Sequence, residues 1–242
     1  MTGTEIVDML GLRLEDPSES NFTSATKIKA INIAQRTVVN LIDNAYLTEL
    51  QVIDAHTALH ATNGYTDNNL INGKVLFVGT GSGKADIDPI RGGVIAIEVF
   101  KRSGSAGSFT ESSLGFANMI EPQDAKRLEN SYLAGSDSNP IAYVFQEALY
   151  VEPFKGDSSI DGAVDVWYIK NPTAIADNST ECELNVALHE TVIDFAESQL
   201  WKMDNKPDRA NNAYTSAINQ IKALNDRYQV EKPKGIGTQG RA

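Results

Sequence analysis

Apolar positions recur every three or four residues over 26–44. Ile28, Ile31, Ala34 or Gln35, Val38, Leu41 and Ala45 fall on one face, so the spacing predicts a long helix. Asn21, Thr23 and Ser24 are candidate caps for its start. Before it, residues 5–14 carry Ile6, Val7, Met9, Leu10 and Leu12. They predict a short helix ending near Gly11 or shortly after, ahead of the break at Asp16-Pro17-Ser18. Two further helices are predicted near the other terminus. Residues 185–203 open on Asn185 as N-cap and bury Leu188, Val192, Phe195, Gln199 or Leu200, and Met203. Residues 207–228 open with Pro207 in the first turn and bury Ala210, Ala213 or Tyr214, Ala217, Ile221, Leu224 and Tyr228. The link between these two is short, which makes them an antiparallel hairpin.

From Leu47 to about Thr180 the pattern changes. Turn residues recur at Asn63-Gly64, Asn72-Gly73, 79–83, Gly92-Gly93, 103–108, 135–139, 156–159 and Asn171-Pro172. Between them lie short β-prone runs at 75–78, 94–100, 141–151 and 163–169. The last alternates, with Val164, Val166 and Tyr168 on one face and Asp165, Trp167 and Ile169 on the other. Residues 122–130 predict one short helix. The expected fold class is α+β: a helical bundle made of N-terminal helices and a C-terminal helical hairpin, with an inserted, mostly antiparallel β domain. The expected organisation is bundle helices over 1–46, the β-rich insertion over 47–180, the hairpin over 181–228 and a flexible tail over 229–242. No internal repeat is visible.

Composition narrows the picture. At 242 residues, with 41% hydrophobic and 22% charged residues, the chain can bury a real core. No apolar run approaches the roughly 20 residues of a membrane span. The start carries Glu5 and Asp8 before any Lys or Arg, unlike a secretory signal. On that reading the Asn-x-Ser/Thr sites at Asn21 and Asn178 are not glycosylated, and the single Cys182 fits a reducing compartment. The net charge of −11 argues against a chain that grips nucleic acid. It suits a surface that repels the phosphate backbone.

Candidate chemistry is sparse. Gly79-Thr80-Gly81-Ser82-Gly83-Lys84 follows an apolar run, but Val78 stands where a phosphate loop needs its first glycine. Ala85 replaces the magnesium-binding hydroxyl, and Pro89 and Gly92-Gly93 prevent the helix that must follow. A hairpin tip accounts for it better. His56 and His60 are spaced for a metal pair on a helix, yet Asp54 is the only nearby carboxylate, so solvated histidines are expected. His189-Glu190 lacks the second histidine of a zinc protease signature, and a packing or subunit-contact role is expected. Asp86 and Asp88 form a commonplace acidic pair. Cys182 lies between Glu181 and Glu183, which raises its pKa. No catalytic residue, cofactor site or metal site is assigned, and the chain is expected not to be an enzyme.

The order of these elements resembles the head–tail connector (adaptor) proteins of tailed bacteriophages. The resemblance rests on 4–12 with the helix 27–41, and on 127–133 continuing through 139–145 and 150–153. It also includes the strand 164–172 and the segment 183–190 with the helices that follow. It implies a structural virion protein at the head–tail junction, assembled in the host cytoplasm. Such a chain forms a homo-oligomeric ring of about twelve copies that docks on the portal protein. The ring extends the DNA channel and offers a platform to tail or tail-completion proteins. Double-stranded DNA passes through the lumen without specific binding, because repetition of this acidity gives on the order of a hundred negative charges. By position, portal binding falls on the basic tail, at Lys232, Pro233, Lys234, Gly235 and Arg241. A tail-tube or tail-terminator protein is the alternative, and a nucleotide- or metal-dependent enzyme the third.

Overall fold

The computed structural model describes residues 1–56, 68–77, 87–103, 110–130, 133–154, 160–177 and 179–231. The chain is mixed α+β, with four α-helices and a large, mostly antiparallel sheet among these residues. It divides into two units. A helical unit takes Met1–Leu50 and Asn171–Ala242, and a sheet unit takes Gln51–Lys170. Residues 47–50 and 171–180, whose composition groups them with the strands, belong to the helical unit.

In the helical unit, α1 (Gly3–Arg13) starts with a capping box: Thr2 Oγ1 accepts from the Glu5 amide while Glu5 accepts from the Thr2 amide. For α2 (Ser24–Leu41) the cap is Thr23, whose hydroxyl accepts from the Thr26 amide. Asn21 is used differently, its amide donating to Asp16. Helix α3 (Val186–Met203) is capped by Asn185 and α4 (Pro207–Glu231) begins at its proline, both as expected. Three residues link α3 to α4, and the two pack as a hairpin.

Helix α3 is the centre of this unit, packing against each of the other three. Leu188, Val192, Phe195 and Leu200 are buried as the periodicity requires. So are His189, Thr191, Ile193, Asp194, Ala196, Ser198 and Trp201, so α3 is enclosed on most of its circumference. Two expected core positions face outward, Leu41 at 41% exposed and Met203 at 64%, and of the alternatives Ala213 and Tyr214 it is Ala213 that is buried. Each has a local reason. Helix α2 ends at Leu41, and the next residue, Ile42, turns inward as its C-cap. Met203 sits in the last turn of α3. Asn225 on α4 joins the far end of the unit, donating to the Leu41 carbonyl at 3.1 Å and accepting from the Asp43 amide at 2.8 Å.

In the sheet unit nine strands form one sheet among the described residues. They are β1 (Gln51–Asp54), β2 (Asn69–Ile71), β3 (Lys74–Leu76), β4 (Pro89–Ser103), β5 (Thr110–Phe116), β6 (Asn118–Met119), β7 (Ile141–Phe145), β8 (Ala148–Glu152) and β9 (Ile160–Lys170). The order is β5-β4-β9-β2-β3-β8-β7-β6, and β1 pairs with the far half of β9. Only β6–β7 is parallel among these pairs. The helix expected at 122–130 is a 3-10 helix over Pro122–Glu129. Alternation in β9 holds for the inner set, with Val164, Val166 and Tyr168 in the core beside Ile97, Val99, Leu149 and Val151. Gly162 of β9 lies opposite β4, and a Cβ there would collide with the Phe100 carbonyl oxygen.

Leu200→Ala is expected to destabilise the helical unit by about 2–5 kcal/mol, whereas Met203→Ala changes it by about 0.5 kcal/mol or less. Urea unfolding read at fluorinated Trp201 checks both values.

Candidate functional site

Two clusters of charged side chains stand out, one in each unit. In the sheet unit, register places Arg102 of β4 opposite Glu111 of β5, and Arg102 Nε donates to Glu111 Oε1 at 2.6 Å. The Arg102 side chain is fully buried, and its guanidinium also donates to Asn69 Oδ1 on β2. His56 follows β1 and completes the chain of contacts. Its Nδ1 lies 2.6 Å from Asp165 Oδ1 on β9, and its Nε2 lies 2.9 Å from Glu111 Oε2. The His56 amide donates to the same Asp165 oxygen at 2.8 Å, and the ring packs on Phe100 with centroids 4.4 Å apart. Both ring nitrogens therefore face carboxylates. Burial pushes the Glu111 carboxyl up, but bonds from Arg102 and His56 outweigh it and hold the group below the usual carboxylate range.

This corrects the expectation of a solvated His56, whose side chain is only 12% exposed. Its partners come from 55 and 109 residues away, so nothing local announces them. Both ring nitrogens are occupied by carboxylates of β5 and β9, so the geometry makes His56 a polar link between strands.

In the helical unit Arg13 on α1 pairs with Glu190 and Asp194 of α3 and lies 3.5 Å from Glu197. Asp194 is buried, and its second oxygen accepts from Ser216 at 2.6 Å and Gln220 at 2.9 Å, both on α4. Thr191 donates to Gln220 at 2.7 Å and steadies that side chain. Nearby, His189 is buried and its Nε2 donates to the Leu184 carbonyl at 2.8 Å. Burial lowers its pKa. This is the expected packing role. The Cys182 thiol donates to Gln35 at 3.4 Å. Its pKa is raised, but burial is the larger cause and Glu183 a smaller one.

A third structured element is the loop after α1. The Asp16 carboxylate accepts from the amides of Ser20, Asn21 and Phe22 and from the Ser20 hydroxyl. Burial opposes its charge, yet these bonds prevail and set the pKa at about 2.

Other candidates fall outside the described residues: Gly79, Gly81, Gly83 and Lys84 of the glycine-rich run, His60, Asp86, Asn178, and the basic positions Lys232, Pro233, Lys234, Gly235 and Arg241. Asp88 is exposed. Among the described residues no group of three or more His, Cys, Asp or Glu is arranged to hold a metal ion. No described helix is long and apolar enough to cross a membrane. Arg102, Glu111, Asp165 and Arg13 carry the clusters and were not singled out by motif. The signals were present, however. Arg102 and Glu111 are opposite charges flanking one Gly/Ser-rich turn, and Glu190, Asp194 and Glu197 form an i, i+4, i+7 stripe. Comparison with protein-family models and with curated proteins found no match to the chain.

Two measurements test this reading. A double-mutant cycle on His56→Ala and Asp165→Asn is expected to give a coupling above about 0.5 kcal/mol, where a solvated histidine gives none. Fluorinated Trp167 reports the sheet unit. Acid should weaken the helical unit in two stages. His189 has a folded pKa below its unfolded value, so its contribution is complete above pH 6.5 and is lost as pH falls below that value. Asp16 contributes fully above its unfolded 3.8 and loses that contribution as pH falls towards about 2. Thermal melts from pH 8 to 2 should show both stages in the parent and only the lower one in His189→Gln.

Proposed function

We propose that this chain is a structural virion protein, a ring-forming head-to-tail adaptor that docks on a portal protein and provides the platform for tail attachment. In this reading it works at the head–tail junction and is not an enzyme. The observation that carries the proposal is the path of the chain: one unit holds all four helices and is assembled from both ends, while the stretch between forms the sheet unit. This path supports the reading, because the resemblance implies a helical bundle interrupted by a β insertion. In this reading the helical unit supplies the assembly face.

Two further features support the reading. The helical unit leaves large apolar side chains exposed, among them Leu12, Ile33, Val186 and Met203, and a subunit contact would cover such positions. The charge of −11 per chain favours a lumen through which DNA slides. The basic positions Lys232, Lys234 and Arg241 supply charge for an acidic portal groove. The nine-stranded sheet favours a tail-tube or tail-terminator protein as the second reading.

Quantitative mass spectrometry of particles carrying this chain separates these readings. A copy number of about one per portal subunit is the expected result. About ten or more per portal subunit moves the chain to the tail tube, and absence from particles overturns a structural role. Lys84→Ala should leave assembly intact, while Leu188→Asp should abolish folding or assembly by burying an unpaired charge.

A further inference from the structure

Lys27 sits in the first turn of α2 and is 1% exposed. A buried ammonium needs acceptors for its three N–H groups. Among the described residues Nζ makes one hydrogen bond, to the Asp16 carbonyl at 3.2 Å. Its other close neighbour is Gly11 of α1, where an added Cβ would lie 3.3 Å from Nζ. Glu19 contributes an opposite charge, but its two oxygens are bonded to the Ser24 amide and hydroxyl.

A cavity of about 210 Å³ is lined in part by Lys27. Its buried lining is Val7, Gly11 and Lys27, and its exposed lining is Asp8, Leu12, Pro17 and Glu19. A single water fills roughly 30 Å³, so the space takes a small organic group with its tip at the amine. Val7, Leu12 and Pro17 give that group apolar walls. The loop between α1 and α2 that carries Pro17 and Glu19 is fastened at its base by Asp16, whose carboxylate takes the amides of residues 20–22. The cavity is therefore built before any ligand arrives.

We infer that this cavity between α1, the 14–23 loop and the start of α2 binds a carboxylate, with Lys27 Nζ as the donor. The ammonium sits at the positive end of α2, which adds to its pull on an anion. Asp8 and Glu19 oppose binding. Their charges are exposed and screened by solvent, whereas that of Lys27 is buried and is not, so the amine dominates the field inside. Such a carboxylate comes either from a free short-chain acid or from an Asp or Glu side chain of a partner polypeptide. This inference stands apart from the adaptor reading and survives its failure.

The test is an NMR titration of the full chain, following the Val7 and Leu12 methyls and the Lys27 ε-methylene. Propionate and a glutamate blocked at both ends are the two carboxylate probes, with propionamide as the neutral control at equal ionic strength. Saturable shifts with either acid and none with propionamide are expected; a lower Kd for propionate identifies a free acid, and for blocked glutamate a polypeptide side chain. Asp8→Asn should tighten binding about two- to fivefold. Lys27→Met, checked for folding by circular dichroism, should abolish the response. Unsaturable shifts, equal shifts with propionamide, or an Asp8→Asn variant that binds no tighter would each overturn the inference, and this last readout holds even where Lys27→Met does not fold.

Discussion

A single buried carboxylate sets how the helices of the helical unit are arranged. Asp194 lies on the most enclosed helix and cannot be hydrated there, so its charge has to be met from within the protein. One oxygen takes Arg13 from α1, and the other takes Ser216 and Gln220 from α4. The requirement that a buried charge be fully bonded thus fixes the rotation of three helices at once. Apolar packing around Leu188, Val192, Phe195 and Leu200 supplies the bulk of the driving force, being non-directional. The Asp194 contacts select one arrangement from those that such packing would allow.

The sheet unit uses charge in the same way. Arg102 is buried, and Asn69 and Glu111 receive it. Glu111 then reaches His56, and His56 reaches Asp165. These residues come from β2, β4, β5, β9 and the segment just after β1, so the network links strands far apart in sequence. Gly162 allows β4 and β9 to approach closely enough for the pairing around it. The polar chain and the apolar cluster of Ile97, Val99, Val164 and Val166 specify one register together.

Helices were legible because their information is local. Thr23, Asn185 and Pro207 mark starts through bonds or constraints spanning a turn, and the amphipathic period gives the inward face. The period fails where a helix stops, which is why Leu41 and Met203 point outward. It also undercounts α3, where burial on most sides replaces a stripe with a mixture of apolar and bonded polar residues. Strand runs were visible in outline, but partners were not. Nothing near His56 in sequence reveals Asp165 or Glu111. Lys27 was invisible for a related reason: a lysine between Thr26 and Ile28 reads as surface, and only the return of the 14–23 loop over α2 encloses it.

The sheet unit begins and ends on neighbouring strands. Gln51 of β1 stands opposite Ile169 of β9, so the two ends of this 120-residue stretch emerge side by side. Tension applied at those ends would load the β1–β9 ladder like a zipper, breaking its bonds one after another rather than all in parallel. Deeper in the sheet, β9 is flanked by β2 on one edge and β4 on the other, and that portion would hold after β1 had peeled away. The structure therefore contains a graded mechanical release, soft at the four-residue entry strand and stiff beyond it.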